Sequence, residues 1–367
     1  MIYTFMNLQK ICYTNKSHPS ILVNMSDFSQ IEDRKQEHIQ INLSKDVQSA
    51  LRSGFDEIRL VHCALPEMSL EDVDMTCNLF GKQLSAPLLI SSMTGGTDAA
   101  SEINRILAMV AQQFRIAMGV GSQRIMIDQP DKTEDFKVRS FAPDILLFAN
   151  LGAVQLNYSY TIEHCKAAID SIEADGLILH LNPLQEALMH NGDTNFRGLI
   201  KKIAAVCKQL GVPVTIKEVG WGINATLAKQ LFEVGVSAID VAGAGGTSWS
   251  EVEKYRSNLS EAKLIAADFR DWGIPTVQAI KDIKRLCPDA TIIASGGLKN
   301  GIDVIKSIAL GASMGGMAHS FLSAAADSFE KAILFARVVL EQMRIAMFVS
   351  GAKDIRSINE GLIVREN

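Results

Sequence analysis

The segment "HLNPLQE", residues 180–186, places four polar side chains directly after an apolar run. His180, Asn182, Gln185 and Glu186 follow "GLIL", a pattern that is typical of a buried strand. An imidazole and amides can bind or protonate a polar ligand, and a carboxylate can hold a divalent cation. The segment therefore predicts a small-molecule site where a strand ends.

The chain repeats a strand-and-helix unit eight times. Each apolar run is followed by a stretch of helical period, and residues 98–114 carry one buried stripe from Ile103 to Phe114. Continuous apolar strands with helical crossovers indicate a parallel sheet. We therefore predict an α/β fold, a closed (β/α)₈ TIM barrel over residues 86–360, with a doubly wound open sheet as the alternative. The strand candidates are 87–93, 116–121, 145–152, 176–182, 214–219, 238–243, 291–297 and 313–318.

The residues before the barrel predict an arm and an extension. Residues 27–85 contain a charged helical segment and an antiparallel ribbon that closes the barrel floor, whereas residues 1–26 are predicted to be a disordered extension. Whether that extension belongs to the native chain is left open, because Met25 could also be the start. The last helix, from about residue 321, is predicted to be one long helix that ends near Gly351, which would be its C′ glycine.

Bulk composition limits the partners. The net charge of −5 gives no overall basic field for nucleic acid, so an anionic substrate must be bound by local cations. No apolar run approaches the length of a membrane span. The six cysteines show no C-x-x-C spacing, which is typical of reduced thiols. We expect a cytoplasmic protein that binds neither nucleic acid nor membrane.

Nearly every predicted strand ends in polar residues or glycine. In this barrel the functional groups lie where the strands stop. The glycine pair in "SGGLKNG" precedes a helix that is predicted to begin at Gly301. Bare amides and a helix N-terminus there predict a phosphate site. The other ends are Ser92–Gly96, Ser122–Arg124, Asn150, His180–Asn182, Lys217–Glu218, Gly243–Thr247 and Ala318–His319.

Nine motifs, taken in order, carry a resemblance to a known family. They are "EDRKQEH", "SSMTGG", "GVGSQR", "ANLGA", "HLNPLQE", "KEVGWGI", "GAGGTSW", "SGGLKNGID" and "RIAMFVSGAKDI". Together, over about residues 27–360, they resemble type 2 isopentenyl-diphosphate isomerase, the FMN-dependent family. Lys299 stands where many flavin barrels carry Arg, and Ala242 where relatives often have Ser. Both departures bear on flavin affinity. The resemblance also implies a homo-oligomer.

The resemblance implies a role for each matching residue. Gln185 and His180 are the implied catalytic residues, and Glu186 is the implied ligand of Mg²⁺. The implied contacts of the substrate diphosphate and tail are Arg34, Lys35, Ser122, Gln123, Arg124, His180, Asn182 and Gln185. The implied contacts of FMN are Met93, Thr94, Gly95, Ser122, Asn150, Lys217, Thr247, Gly297, Leu298, Lys299, Ala318 and His319.

The implied reaction moves a double bond in an isoprenoid diphosphate without net redox change. Reduced FMN stabilises the developing positive charge, and NADPH serves only as reductant. Two other classes stay open. A 2-hydroxy-acid oxidase on the same barrel needs a His base and an Arg pair at a strand end, and "VAGAGGTSW" has neither. A barrel that binds flavin or phosphate without catalysis is the other.

Overall fold

The computed structural model describes residues 25–93 and 95–364, with side chains from residue 33 onward. The predicted extension therefore lies almost wholly outside the described residues. Its last two residues, Met25 and Ser26, begin the first helix instead. Within the described part, no helix is both long and apolar enough to cross a membrane. The five cysteines in that part, all but Cys12, are free thiols, as predicted.

Eight parallel strands close into a barrel, as predicted. Each strand pairs with its neighbours in chain order, and β10 pairs with β3 to complete the ring. An antiparallel ribbon, β1 and β2, precedes the barrel. The strands are β1 Cys77–Leu79, β2 Lys82–Leu84, β3 Leu88–Ile90, β4 Ala117–Gly119, β5 Leu147–Gly152, β6 Gly176–His180, β7 Val214–Lys217, β8 Ala238–Asp240, β9 Ile292–Ser295 and β10 Met314–Met317.

Helices surround the barrel and extend it at both ends. They are α1 Met25–Ser44, α2 Asp98–Phe114, α3 Arg124–Asp128, α4 Ile162–Asp170, α5 Pro183–Leu188, α6 Leu199–Gln209, α7 Ala225–Glu233, α8 Trp249–Arg256, α9 Ser260–Ala267, α10 Thr276–Leu286, α11 Gly301–Ala309, α12 His319–Asp327 and α13 Phe329–Val349. The prediction of one long final helix was wrong. Ser328 is fully extended and caps α13 by accepting from the Lys331 amide, so it divides the segment in two. Gly351 does have the left-handed backbone of a C′ glycine.

The ribbon closes the barrel floor. Leu84 is buried with a small cluster of side chains inside the barrel, which includes Leu89, Phe148 and Met314. The ring of Phe80, at the turn of the ribbon, meets Phe148 edge to face at 6.1 Å. Because apolar side chains fill this end, we expect a ligand to bind at the carboxyl ends of the strands.

The N-terminal arm crosses that open end. Helix α1 packs on α8, and it buries Ile39 and Asn42. After α1 the chain runs along the ends of β8 and β9, where the amide of Ser49 donates to the carbonyl of Gly246. The arm is thus part of the site's walls.

Candidate functional site

A cavity of about 450 Å³ opens at the carboxyl end of the barrel. Eighteen of the residues implied by the resemblance line it, although they come from nine separate segments of the chain. Thr94 lies outside the described residues. The eighteen are Arg34, Lys35, Met93, Gly95, Ser122, Arg124, Asn150, His180, Asn182, Gln185, Glu186, Lys217, Thr247, Gly297, Leu298, Lys299, Ala318 and His319.

Gln123 is the one described residue among the predicted substrate contacts that does not line this cavity, and its contact with substrate stays a prediction. Its side chain is fully buried and points toward α4, where Nε2 donates to the carbonyl of Ala168 at 2.8 Å. Its Oε1 accepts from the backbone amide of Asn150 at 2.9 Å. Gln123 therefore braces the strand end that carries Asn150.

Part of the cavity wall is made of backbone, and we call it the glycine side: Gly243, Gly245, Gly246, Gly296 and Gly297. The turns after β8 and β9 interlock so closely that no side chain fits between them. A Cβ on Gly296 would lie 2.1 Å from the carbonyl oxygen of Gly243, and one on Gly297 would lie 2.4 Å from that of Gly245. Glycine is required here because backbone packs on backbone, and the same feature admits a ligand close to the amides.

Of the groups predicted to bind a phosphate, the glycine pair Gly296 and Gly297 lines the cavity, whereas the start of α11 is occupied by acceptors from the protein itself. Helix α11 does begin at Gly301, but the Gly301 amide donates to Gln342 Oε1 and the Lys299 amide to Asp303 Oδ2. Helix α12, in contrast, has no side-chain cap at Ala318, and its first residues line the cavity. The start of α12 and the turn at Gly297 are therefore the groups that can bind a phosphate.

Polar groups without partners point toward a ligand. Ser91 Oγ, Ser92 Oγ and His319 Nδ1 are buried in the cavity wall without a hydrogen bond to any described residue. Such groups cost free energy unless a ligand or water satisfies them. Together with the uncapped α12 terminus and the glycine side, they fit a polar, flat, phosphate-bearing group such as FMN.

Lys217 is buried in the cavity wall at the end of β7. Strand register places it between His180 on β6 and Asp240 on β8. Its ammonium donates to the carbonyl of Glu218 at 2.6 Å. Burial raises the pKa of Asp240, and the Lys217 charge opposes that shift. A buried cation held in this way can stabilise negative charge on a ligand ring.

The surroundings of the His180 ring favour its neutral form. Burial, followed by the charges of Lys217 and Lys35, lowers its pKa to about 4. Its Nδ1 lies 2.9 Å from Asn150 Oδ1, and Asn150 Nδ2 donates to the carbonyl of Val120. The Asn150 oxygen must therefore accept, so Nδ1 carries the proton of the neutral ring.

Another part of the cavity wall has five charged or ionisable residues that we call the charged side: Arg34, Lys35, Arg124, His180 and Glu186. Burial and the neighbouring Arg124 lower the pKa of Arg34. Arg124 Nη1 donates to Asp193 Oδ2 at 2.8 Å, and Lys35 Nζ donates to the carbonyl of Ser122 at 3.1 Å. This side concentrates cations where the net charge of the chain is negative.

Glu186 is held by two hydrogen bonds. Asn182 Nδ2 donates to Oε1 at 2.8 Å, and the Asp193 amide donates to Oε2 at 2.7 Å. Burial raises the pKa of Glu186, and these two bonds oppose the shift. No group of three or more His, Cys, Asp or Glu able to hold a metal occurs among the described residues. A single carboxylate fits Mg²⁺ that is also bound by ligand phosphates and water.

Sequence reasoning missed Glu253, Asp193 and His38. Glu253 Oε1 accepts from Gln185 Nε2 at 3.1 Å, and His38 Nε2 lies 3.1 Å from the same oxygen. Burial would raise the pKa of Glu253, but the bonds to His38 and Gln185 and the charge of Arg256 lower it to about 2. In the sequence "SEVEKYR" resembles an ordinary solvated helix face, so it gave no signal of a buried anion behind Gln185.

Comparison with known proteins agrees with this geometry. The profile of the family described as FMN-dependent dehydrogenase matches residues 180–365. The structure resembles a mandelate oxidase mutant with the monooxide FMN adduct, with a TM-score of 0.63 and 15% identity over 90% of this chain and 97% of that one. It also resembles a flavocytochrome b2 mutant with sulfite bound, with a TM-score of 0.67 and 14% identity over 94% and 86%. At these identities the likeness shows the fold alone.

Relatives in sequence are more informative. The isopentenyl-diphosphate delta-isomerase of Nostoc sp. is 47% identical over 327 residues, which cover 89% of this chain and 93% of the relative. The enzyme of the same name from Rickettsia peacockii is 48% identical over 328 residues, which cover 89% and 95%. The chain therefore belongs to the isopentenyl-diphosphate delta-isomerase family, in its FMN-dependent form, and is an isomerase.

Proposed function

We propose that this enzyme converts isopentenyl diphosphate to dimethylallyl diphosphate, using reduced FMN and Mg²⁺ and with no net redox change. The proposal rests on one observation: the glycine side and the charged side line the same cavity. The first suits a flat cofactor with one phosphate, and the second suits a diphosphate. The names and identities of the relatives support the same reaction.

FMN would be bound on the glycine side. Gly297 and Leu298 would hold its phosphate together with Ala318 and His319 at the start of α12, and Lys217 would lie beside its ring. The remaining contacts would come from Met93, Thr94, Gly95, Ser122, Asn150, Thr247 and Lys299. In its reduced form FMN supplies an electron-rich ring that stabilises positive charge and exchanges a proton. NADPH would serve only to keep it reduced.

The substrate diphosphate would be bound on the charged side. Arg34, Lys35 and Arg124 would supply the charge, and Ser122 and Asn182 the hydrogen bonds. His180 would donate through Nε2, because the added anion would raise the pKa of the ring and favour its protonated form. Glu186 would hold Mg²⁺, whose charge would offset that of the diphosphate.

Gln185 would contact the reacting carbons. The reaction adds a proton at one carbon and removes one from another, so the alkene must be held in one orientation. The Gln185 amide is fixed at both ends, because Nε2 donates to Glu253 and Oε1 accepts from Asn182 Nδ2 at 3.2 Å. Glu253 and His38 would thereby position Gln185 from behind.

The test is an anaerobic assay of the FMN-loaded chain with isopentenyl diphosphate, Mg²⁺ and NADPH. We expect dimethylallyl diphosphate by NMR, with catalytic rather than stoichiometric use of NADPH. Glu186→Gln should raise the Mg²⁺ concentration needed for half-maximal rate, whereas Glu341→Gln on the exposed face of α13 should not. Reduction of the flavin by a 2-hydroxy acid, without isomerisation, would favour the oxidase alternative. Flavin binding without turnover would favour a non-catalytic barrel.

A further inference from the structure

Asp193 joins the two groups on which the diphosphate site depends. It lies in the loop between α5 and α6. Its backbone amide donates to Glu186 Oε2 at 2.7 Å, and its carboxylate accepts from Arg124 Nη1 at 2.8 Å. Gln155 Nε2 donates to the same carboxylate oxygen at 2.9 Å. One residue thus contacts both the proposed metal ligand and a proposed diphosphate ligand.

The loop that carries Asp193 is anchored on both sides. Asn157 Nδ2 donates to the carbonyls of Asn195 and Arg197 at 2.7 and 3.0 Å. On the other side Gly192 packs against the backbone of Glu186, where a Cβ would lie 1.9 Å from the Glu186 carbonyl oxygen. These contacts hold the Asp193 carboxylate beside Arg124 when a ligand arrives.

A fixed anion at this position has opposite effects on two forms of the same ligand. A metal-free diphosphate that reaches Arg124 meets the negative charges of Asp193 and Glu186, and like charges at short range in a partly buried site repel strongly. A diphosphate that carries Mg²⁺ presents a cation toward the same two carboxylates. The Asp193 charge therefore weakens the binding of metal-free diphosphate and does not weaken the binding of the Mg²⁺ complex.

We propose that Asp193 makes diphosphate binding depend on the metal, so that the enzyme selects the Mg²⁺ complex over the free diphosphate. The inference rests on the proposed function, because it takes Arg124 and Glu186 as the groups that bind diphosphate and metal. Asp193 is thus a specificity-determining residue: it contacts Arg124 and Glu186, and its charge disfavours binding of the metal-free diphosphate.

The test is equilibrium binding of inorganic pyrophosphate to the FMN-loaded chain, with Mg²⁺ and with EDTA, at one ionic strength. For the unchanged chain we expect a much larger dissociation constant in EDTA. Asp193→Asn keeps the shape of the side chain and removes its charge. It should lower the ratio of the dissociation constant in EDTA to that with Mg²⁺ by at least about tenfold, mainly because pyrophosphate binds more tightly in EDTA. Asp193→Ser, a second neutral variant that retains an acceptor, should act in the same direction.

Asp128→Asn is the matched control. Asp128 also faces Arg124, at 3.7 Å from Nε, but it hydrogen-bonds to Tyr160 and not to Glu186. For Asp128→Asn we expect the ratio of the dissociation constant in EDTA to that with Mg²⁺ to equal the ratio of the unchanged chain. The inference is overturned if the Asp193 variants weaken both forms equally, if they leave the ratio unchanged, or if Asp128→Asn lowers it as much. If the unchanged chain binds pyrophosphate in neither buffer, the proposed function itself fails.

Discussion

The two sides of the cavity are built on opposite principles. On the glycine side, between Gly243 and Gly297, backbone packs on backbone and no atom could be added without moving a strand end. On the charged side, long side chains from separate elements meet through ion pairs and hydrogen bonds. Steric fit therefore decides what can bind on the glycine side, and charge decides what can bind on the charged side. Changes on the glycine side should thus affect the flavin, and changes on the charged side the substrate.

The largest effect is expected from one methyl group on the glycine side. Gly297→Ala should abolish FMN binding, because the new Cβ would lie 2.4 Å from the Gly245 carbonyl oxygen. Gly81→Ala is the matched control: φ is +79° there and +77° at Gly297, but nothing lies within 4 Å of its Cβ. Both variants bear the strain of left-handed backbone, about 1–2 kcal/mol. Flavin absorbance after gel filtration measures the outcome, and equal flavin loss in both would show that backbone strain, not shape, decides.

On the charged side, loss of cations should weaken substrate binding and spare the flavin. Two charge-assisted contacts contribute about 1.5–3 kcal/mol each, so Arg34→Ala with Lys35→Ala should raise KM by roughly 10²- to 10⁴-fold. Steady-state kinetics and flavin content should be measured on the same preparation. Arg52→Ala, which removes an arm cation whose side chain is 83% exposed, should change neither. A loss of flavin in the double variant would contradict the division into two sides.

A smaller effect is expected from the anion behind Gln185. Glu253→Gln removes a charge-assisted hydrogen bond, worth about 1.5–3 kcal/mol, and should lower kcat by roughly 10- to 100-fold with little change in KM. Glu251→Gln is the control, because Glu251 is equally buried and ion-paired, but with Lys254. If both variants lose kcat and thermal stability alike, Glu253 has only a structural role.

The smallest effect is expected in stability as a function of pH. The folded pKa of His180 is about 4, below the ordinary value of about 6.5 in the unfolded chain. Between pH 6.5 and pH 4 the imidazole of His180 is protonated in the unfolded chain but not in the folded one. The free energy of unfolding therefore falls as pH drops from 6.5 to 4, by up to about 1.4 kcal/mol per pH unit. His180→Gln should reduce this dependence of the free energy of unfolding on pH, which is measured by urea unfolding of flavin-free protein. The exposed His62→Gln should not.

The domain boundaries remain predictions, but much of the architecture could be derived from local patterns. Each barrel strand is a short apolar run, and each run lies where the structure has a strand. The antiparallel ribbon and the start of α11 at Gly301 were also predicted correctly. Local signals failed at Ser328, where one hydroxyl that caps α13 divides an otherwise continuous helical pattern.

The sequence by itself determined which residues could form the site, because His180, Asn182, Gln185 and Glu186 are neighbours in the chain and follow one strand. Only the tertiary structure decided their partners. Gln185 meets Glu253, and Arg124 meets Asp193, across 68 and 69 positions of sequence. It also turned Gln123 away from the cavity to support Asn150. The physical reason is that barrel closure brings all eight strand ends to one face, and a side chain's orientation there depends on neighbours that no local pattern specifies.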